Sequence, residues 1–210
     1  FGAAVEACLL AIPTGGAGSP HRANVYAALN QTDRTTTYGL AGGELVADIY
    51  SYDKNKDLDG YSYYKWRSGI KHDASAIMEL RNRGDALVNG KGEIVDIEDK
   101  YIFPLLKSSD LANGRLSPTR FVLVTQRKPN QNTSVIALDA PKTWAYLNSH
   151  ADVLDRRPSV IYQKRPRFSV FGVGDYAFSQ WKVAISGFYK VPRFLVVGEY
   201  GGKPMQLDDT

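Results

Sequence analysis

In RPRFSVFGVGDYAFSQWKVAISGFYK, Arg165–Lys190, apolar residues alternate with polar ones around Phe168 and Val170 and again around Lys182. Period-two patterning of this kind predicts strands over Arg167–Phe171 and Lys182–Ser186, each turning one face to a core. Phe194–Val197 predicts a third strand downstream. Gly172 and Gly174, between the first two, allow tight turns or a close approach of backbone to a ligand.

Upstream, Trp144, Leu147, Ala151 and Leu154 form one apolar stripe, and Pro141 suits a first helical turn. A helix is predicted there, with Asp139 as N-cap and Pro158 closing it. A second, short helix is predicted over Ala74–Arg83, with Ile77, Leu80 and Met78 inward. Asp99–Leu106 reads as the beginning of a third, limited by Pro104. Strands are predicted at Phe1–Ile12, Leu45–Tyr52, Phe121–Thr125 and Ser134–Leu138, and in Val88–Glu98, where Val95 and Ile97 share a face. PTGGAGSP, Pro13–Pro20, reads as a loop. The expected class is α+β: a mixed, strand-rich domain with a few helices.

The 210 residues are 43% hydrophobic and 23% charged, which is globular composition rather than disorder. No apolar run is long enough to cross a bilayer, and no positive leader precedes a long apolar stretch. The single cysteine, Cys8, excludes a disulfide scaffold within one chain. A cytoplasmic protein without membrane contact is the simplest expectation. The opening without methionine, inside an apolar run, reads as a piece excised from a larger multidomain protein.

The net charge of +4 is unevenly spread. Phe1–Thr119 carries 13 basic and 15 acidic residues, whereas Arg120–Arg193 carries 12 and 4. A field of that kind attracts nucleic acid or another polyanion, although a solvated surface needs no partner.

Catalytic machinery is hard to find. His21, His72 and His150 make no metal-ligand spacing with Cys8. Asp53, Asp57 and Asp59 evoke a calcium loop, but its closing glutamate is missing. GVGDY, Gly172–Tyr176, is an incomplete dinucleotide fingerprint, and TGGAGS, Thr14–Ser19, lacks the lysine of a phosphate loop.

Binding residues are easier to name. WRSGIKHD, Trp66–Asp73, sets Arg67, Lys71 and His72 beside an aromatic and a glycine, which suits phosphate or base contact. A local ion pair of Arg67 or Lys71 with Asp73 reads the same stretch equally well. In KSSDL, Lys107, Ser108 and Ser109 can clamp a phosphate, or Ser109 or Asp110 can simply cap a helix. Arg165, Arg167, Lys182 and Lys190 are candidates for a phosphate grip, with Tyr176 and Trp181 among the interleaved rings. Alternating Phe168 and Val170 can equally be filling a sheet.

WRSGIKHD with the following MEL, YIFPLLKSSDLANG (Tyr101–Gly114) and PRFSVFGVGDYAFSQWKVAISGFYK (Pro166–Lys190) together resemble the target-recognition region of bacterial N6-adenine DNA methyltransferases of restriction–modification systems. APKTWAYLNSHADVLDRRPSVIY, Ala140–Tyr162, supports the likeness. The resemblance implies double-stranded DNA as partner and a parent enzyme that uses S-adenosylmethionine. The cofactor and Asn/Asp-Pro-Pro-Tyr/Phe motifs of such enzymes are absent from this sequence, so no catalytic or cofactor-binding residue is carried over. On this reading residues 1–20 end a preceding catalytic domain or form a linker, and residues 21–210 select the DNA site. The alternatives are the specificity segment of a fused restriction–methylation enzyme and a protein-docking domain with little DNA contact.

Overall fold

The computed structural model describes residues 9–11, 22–187 and 192–209. The strand predicted at Phe1–Ile12 lies almost wholly outside them, as do Cys8, the glycine-rich loop before Pro20 and Lys190. The chain divides between Lys65 and Trp66 into two units.

The first unit is an antiparallel sheet of β1 (Arg22–Val25), β2 (Thr36–Ala41) and β3 (Glu44–Val46), followed by helix α1 (Ile49–Asn55). Leu45–Tyr52 is therefore not one strand. Asp48 stops it by accepting the Ser51 N–H at 3.0 Å, which caps α1. Asp59 accepts the Tyr52 hydroxyl at 2.7 Å, and among the described residues no cluster of acids, histidines or cysteines could hold a metal ion.

The second unit contains α2 (Ser75–Met78), β4 (Glu79–Arg83), β5 (Ala86–Asn89), β6 (Ile102–Leu106), α3 (Ser108–Ala112), β7 (Arg120–Leu123), α4 (Ile136–Asp139), α5 (Pro141–Ser149) and α6 (Ala151–Asp155). It continues with β8 (Lys182–Ile185), β9 (Phe194–Val197), β10 (Glu199–Tyr200), β11 (Lys203–Pro204) and β12 (Gln206–Leu207). The central sheet has the order β12-β6-β7-β4-β5, parallel only between β12 and β6. The expected mixed α+β class describes this architecture.

Several local predictions give way to the sheet. Ala74–Arg83 is helical only to Met78. Leu80 then pairs with Asn89 on one side and Phe121 on the other, so cross-strand bonding overrides the local helical period. Asp99–Leu106 makes one 3-10 turn and becomes β6, whose five residues are all buried, as befits a strand covered on both faces. Ser134–Leu138 is a 3-10 turn leading into α4, begun by Asn132 accepting the Ser134 N–H at 3.0 Å. Arg167–Phe171 is an irregular segment, with Phe168 at φ 63°, that joins the sheet only through Phe171.

The main core collects Ile70, Ile77, Met78, Leu105, Val122, Leu123, Ile136, Leu147, Leu154 and Phe168 under α4–α6. Trp144 packs edge-on against Phe168, with centroids 5.5 Å apart. A smaller core of Leu106, Leu111, Ala184, Val197 and Met205 seats the β8–β9 ribbon.

The predicted N-cap of the long helix is corrected. Asp139 ends α4 and binds Lys100 and the Tyr101 hydroxyl. The first turn of α5 is satisfied by Glu98, which accepts the Lys142 N–H at 2.9 Å, the Thr143 N–H at 2.7 Å and the Thr143 hydroxyl at 2.6 Å. Desolvation pushes the Glu98 carboxyl up, but these bonds outweigh it and hold the group at about 2. Glu98→Ala is expected to cost about 1–2 kcal/mol, the value of a helix cap, read as a lower urea midpoint with an unchanged slope.

Candidate nucleic-acid interface

Trp66–Asp73 enters the second unit beside the central sheet. The Ile70 N–H donates to the Leu207 carbonyl at 2.6 Å, and Lys71 and Phe171 exchange both backbone bonds at 3.0 and 2.8 Å. The segment thus extends the sheet past β12, and Phe171 extends it once more. Packing is tight enough to exclude side chains. A Cβ on Gly69 would lie 2.3 Å from the Leu207 and Asp208 carbonyl oxygens, and one on Gly172 would lie 2.0 Å from the Gly69 oxygen. Gly172 also sits at φ 74°, in the left-handed region that favours glycine.

The outer segment is fixed from behind by residues just beyond β7. The Gln126 side-chain amide donates to the Val170 carbonyl at 2.7 Å and accepts its N–H at 3.2 Å, imitating a neighbouring strand. Thr125 donates to the Phe168 carbonyl and Thr133 to that of Arg167. Arg157 lies largely inside, bonded to the His72 and Ser169 carbonyls, with its guanidinium 3.7 Å from the Tyr162 ring centroid. Burial lowers its pKa.

A cleft of about 300 Å³ opens along this edge, lined by Trp66, Arg67, Ser68, Pro129, Arg165 and the run 170–173 with Tyr176. The Arg67 guanidinium sits 5.5 Å from the Tyr176 ring centroid. Arg165 donates to the Asn130 side-chain carbonyl at 2.7 Å. Neither arginine has a carboxylate partner among the described residues. Both are held in place by neutral groups, so their charge stays available. Burial pushes the Tyr176 hydroxyl pKa up, and Arg67 opposes that shift. Trp66 leans on Phe194, with centroids 6.0 Å apart, yet remains 72% exposed.

Of the residues expected from sequence, Arg67, Arg165 and Tyr176 come together at the cleft. The other described cations are engaged elsewhere. Lys71 pairs with Asp73 at 3.1 Å and Asp209 at 3.4 Å, so the ion-pair reading of its stretch holds. Lys107 lies between Glu79 and Asp208. Its neighbour Asp110 accepts the Lys107 N–H, which makes KSSDL a helix start. Ser108 shares a hydroxyl bond with Ser186, and Ser109 is exposed on α3. His72 is buried. Its Nδ1 accepts the Ala74 N–H, which leaves the proton on Nε2, facing Glu79 at 3.4 Å. Arg167 pairs with Asp155 at 2.6 Å. Lys182 turns inward to the Ser179 and Met205 carbonyls, and desolvation lowers its pKa to about 8. Trp181, 64% exposed, stands on the outer face of the β8–β9 ribbon with Val183, Phe194 and Val196.

Pro129 and Asn130 escape a reading by sequence. They belong to RKPNQNT, a polar loop whose only hint is its paired basic residues. Arg127, in the same loop, stacks 4.6 Å from the Phe178 ring centroid. Among the described residues, no helix is long and apolar enough to cross a membrane.

No protein-family model matches the chain. Over 182 residues, 86% of its length, it is 46% identical to Type II methyltransferase M.NspV of Nostoc sp.. The chain is therefore homologous to a type II methyltransferase. It spans 38% of that relative's length.

Proposed function

We propose that this chain is the DNA-binding, site-selecting part of an S-adenosylmethionine-dependent, site-specific DNA adenine-N6 methyltransferase. The homology to a type II methyltransferase supports the parent class. The observation that carries the DNA contact is the pair of arginines at the cleft, Arg67 and Arg165, which are positioned without being neutralised. Such groups replace the counterions of a phosphodiester backbone at little ordering cost. The cations locked to Asp155, Glu79, Asp208 or backbone carbonyls hold the fold together instead.

The cleft does not fit S-adenosylmethionine. A sulfonium cation there would face Arg67 and Arg165, and among the described residues no carboxylate lines the cleft to balance the charge. Cofactor binding and methyl transfer are therefore assigned to a catalytic domain in the rest of the parent protein.

Titration of the full chain with labelled duplex DNA over a range of salt tests the reading. Arg67→Ala and Arg165→Ala are each expected to lower the slope of log K against log salt by about 1. Arg167→Ala and Lys107→Ala should leave that slope unchanged. Duplex affinity that does not respond to salt would sink the proposal. A second reading, docking of a protein with little DNA contact, is favoured by the apolar outer face of the β8–β9 ribbon, where Val183 pairs with Val196 and both are exposed. It predicts association with no salt dependence.

A further inference from the structure

We infer that the cleft holds a single nucleobase that has left the DNA stack, seated on the Trp66 indole; this rests on the duplex-binding reading above. Two arginines suffice for a phosphate backbone, and they leave the exposed rings unexplained. Trp66 has one side against Phe194 and is 72% exposed, at the rim of the same cleft that Arg67 and Arg165 flank. Phe171, 38% exposed, lines the cleft as well. An indole face beside fixed guanidinium donors matches a nucleotide. The base stacks on the ring, and the arginines meet its acceptor edge and the adjoining phosphate.

The polar side chains among the described residues lining the cleft are Arg67, Arg165, Ser68 and Tyr176: two guanidiniums that only donate and two hydroxyls that donate or accept. The surplus of donors favours a base rich in acceptors, and no carboxylate or imidazole among the described lining residues is there to act as a general base. The nucleotide is held there and not modified. Holding it stabilises a distorted duplex, and selectivity then depends on how easily the sequence gives up that base.

The test combines abasic and mismatched duplexes with Trp66→Ala in the full chain. At one position of the site, an abasic nucleotide is expected to bind about 10-fold more weakly than a mismatch there, because both have met the cost of unpairing and only the abasic one lacks the stacked base. A mismatch at that position should tighten binding, because the cost of unpairing is already met. Trp66→Ala should remove both responses, and Trp66→Phe should restore them in part while confirming that the site is otherwise intact. If every abasic duplex ranks alike in wild-type and Trp66→Ala protein, the inference falls while duplex binding stands. A mismatch that fails to tighten binding at the abasic-sensitive position means the base is read in place, which also overturns it. Absence of any salt-dependent duplex binding defeats the underlying reading instead.

Discussion

Gly172→Ala is expected to cost about 3–5 kcal/mol, among the largest effects of any single substitution in the second unit. Two penalties combine. A left-handed backbone at φ 74° disfavours a Cβ by about 1–2 kcal/mol. The new carbon would also lie 2.0 Å from the Gly69 oxygen, and that neighbour is backbone, itself pressed against Leu207 and Asp208. The strain cannot be relieved by turning a side chain, so the Lys71–Phe171 pairing has to open. Gly84→Ala is the control: φ is 61° but nothing lies within 4 Å, so about 1–2 kcal/mol is expected. Urea midpoints of the two variants, measured on the full chain, separate strain from collision. Equal midpoints would show that the edge yields without cost.

Glu79→Gln is expected to cost about 3 kcal/mol and to flatten the acid limb of the stability profile. Glu79 is 8% exposed and faces Lys107, Arg120 at 3.4 Å and His72. Desolvation pushes its carboxyl up from 4.5, but the nearby His72 Nε2–H and the bond and charge of Lys107 outweigh burial and bring it to about 2. A carboxylate with a depressed pKa stabilises the fold in full above its unfolded value and loses that contribution as pH falls toward the folded one. Here the window runs from about 4.5 down to about 2. Between pH 7 and pH 3 the wild-type protein should lose about 2 kcal/mol through this group. Glu98 titrates over the same window, so the difference between wild type and Glu79→Gln isolates Glu79. Parallel pH profiles for the two proteins would show that the ion cluster contributes nothing.

The legible part of this molecule was whatever a local pattern could carry. Alternation around Lys182 marked β8, short apolar runs marked β7 and β9, and the apolar stripe from Trp144 to Leu154 marked α5 and α6. Leu80 shows the limit: it is inward as expected, yet on a strand, because pairing with Asn89 and Phe121 is invisible in the local sequence. Phe168 shows another. It is core, but the left-handed backbone that buries it follows from Thr125 and Gln126, more than 40 residues away.

For the candidate site, residue type found the cations and the fold sorted them. Arg165 and Arg167 look interchangeable in RPRF, yet one meets Asn130 and the other Asp155. Lys107 was equally ambiguous until Glu79 and Asp208 appeared beside it. Which cations keep their charge available depends on partners that no spacing rule brings near.

The interior place of β12 also governs when the cleft can exist during synthesis. Ile70 takes its backbone partner from Leu207, about 140 residues further along the chain. At ~5–20 residues per second a ribosome needs roughly 7–30 seconds to cover that distance. Until then Trp66–Asp73 lacks one flank, and a nascent chain halted before residue 207 has no finished groove with which to seize nucleic acid prematurely.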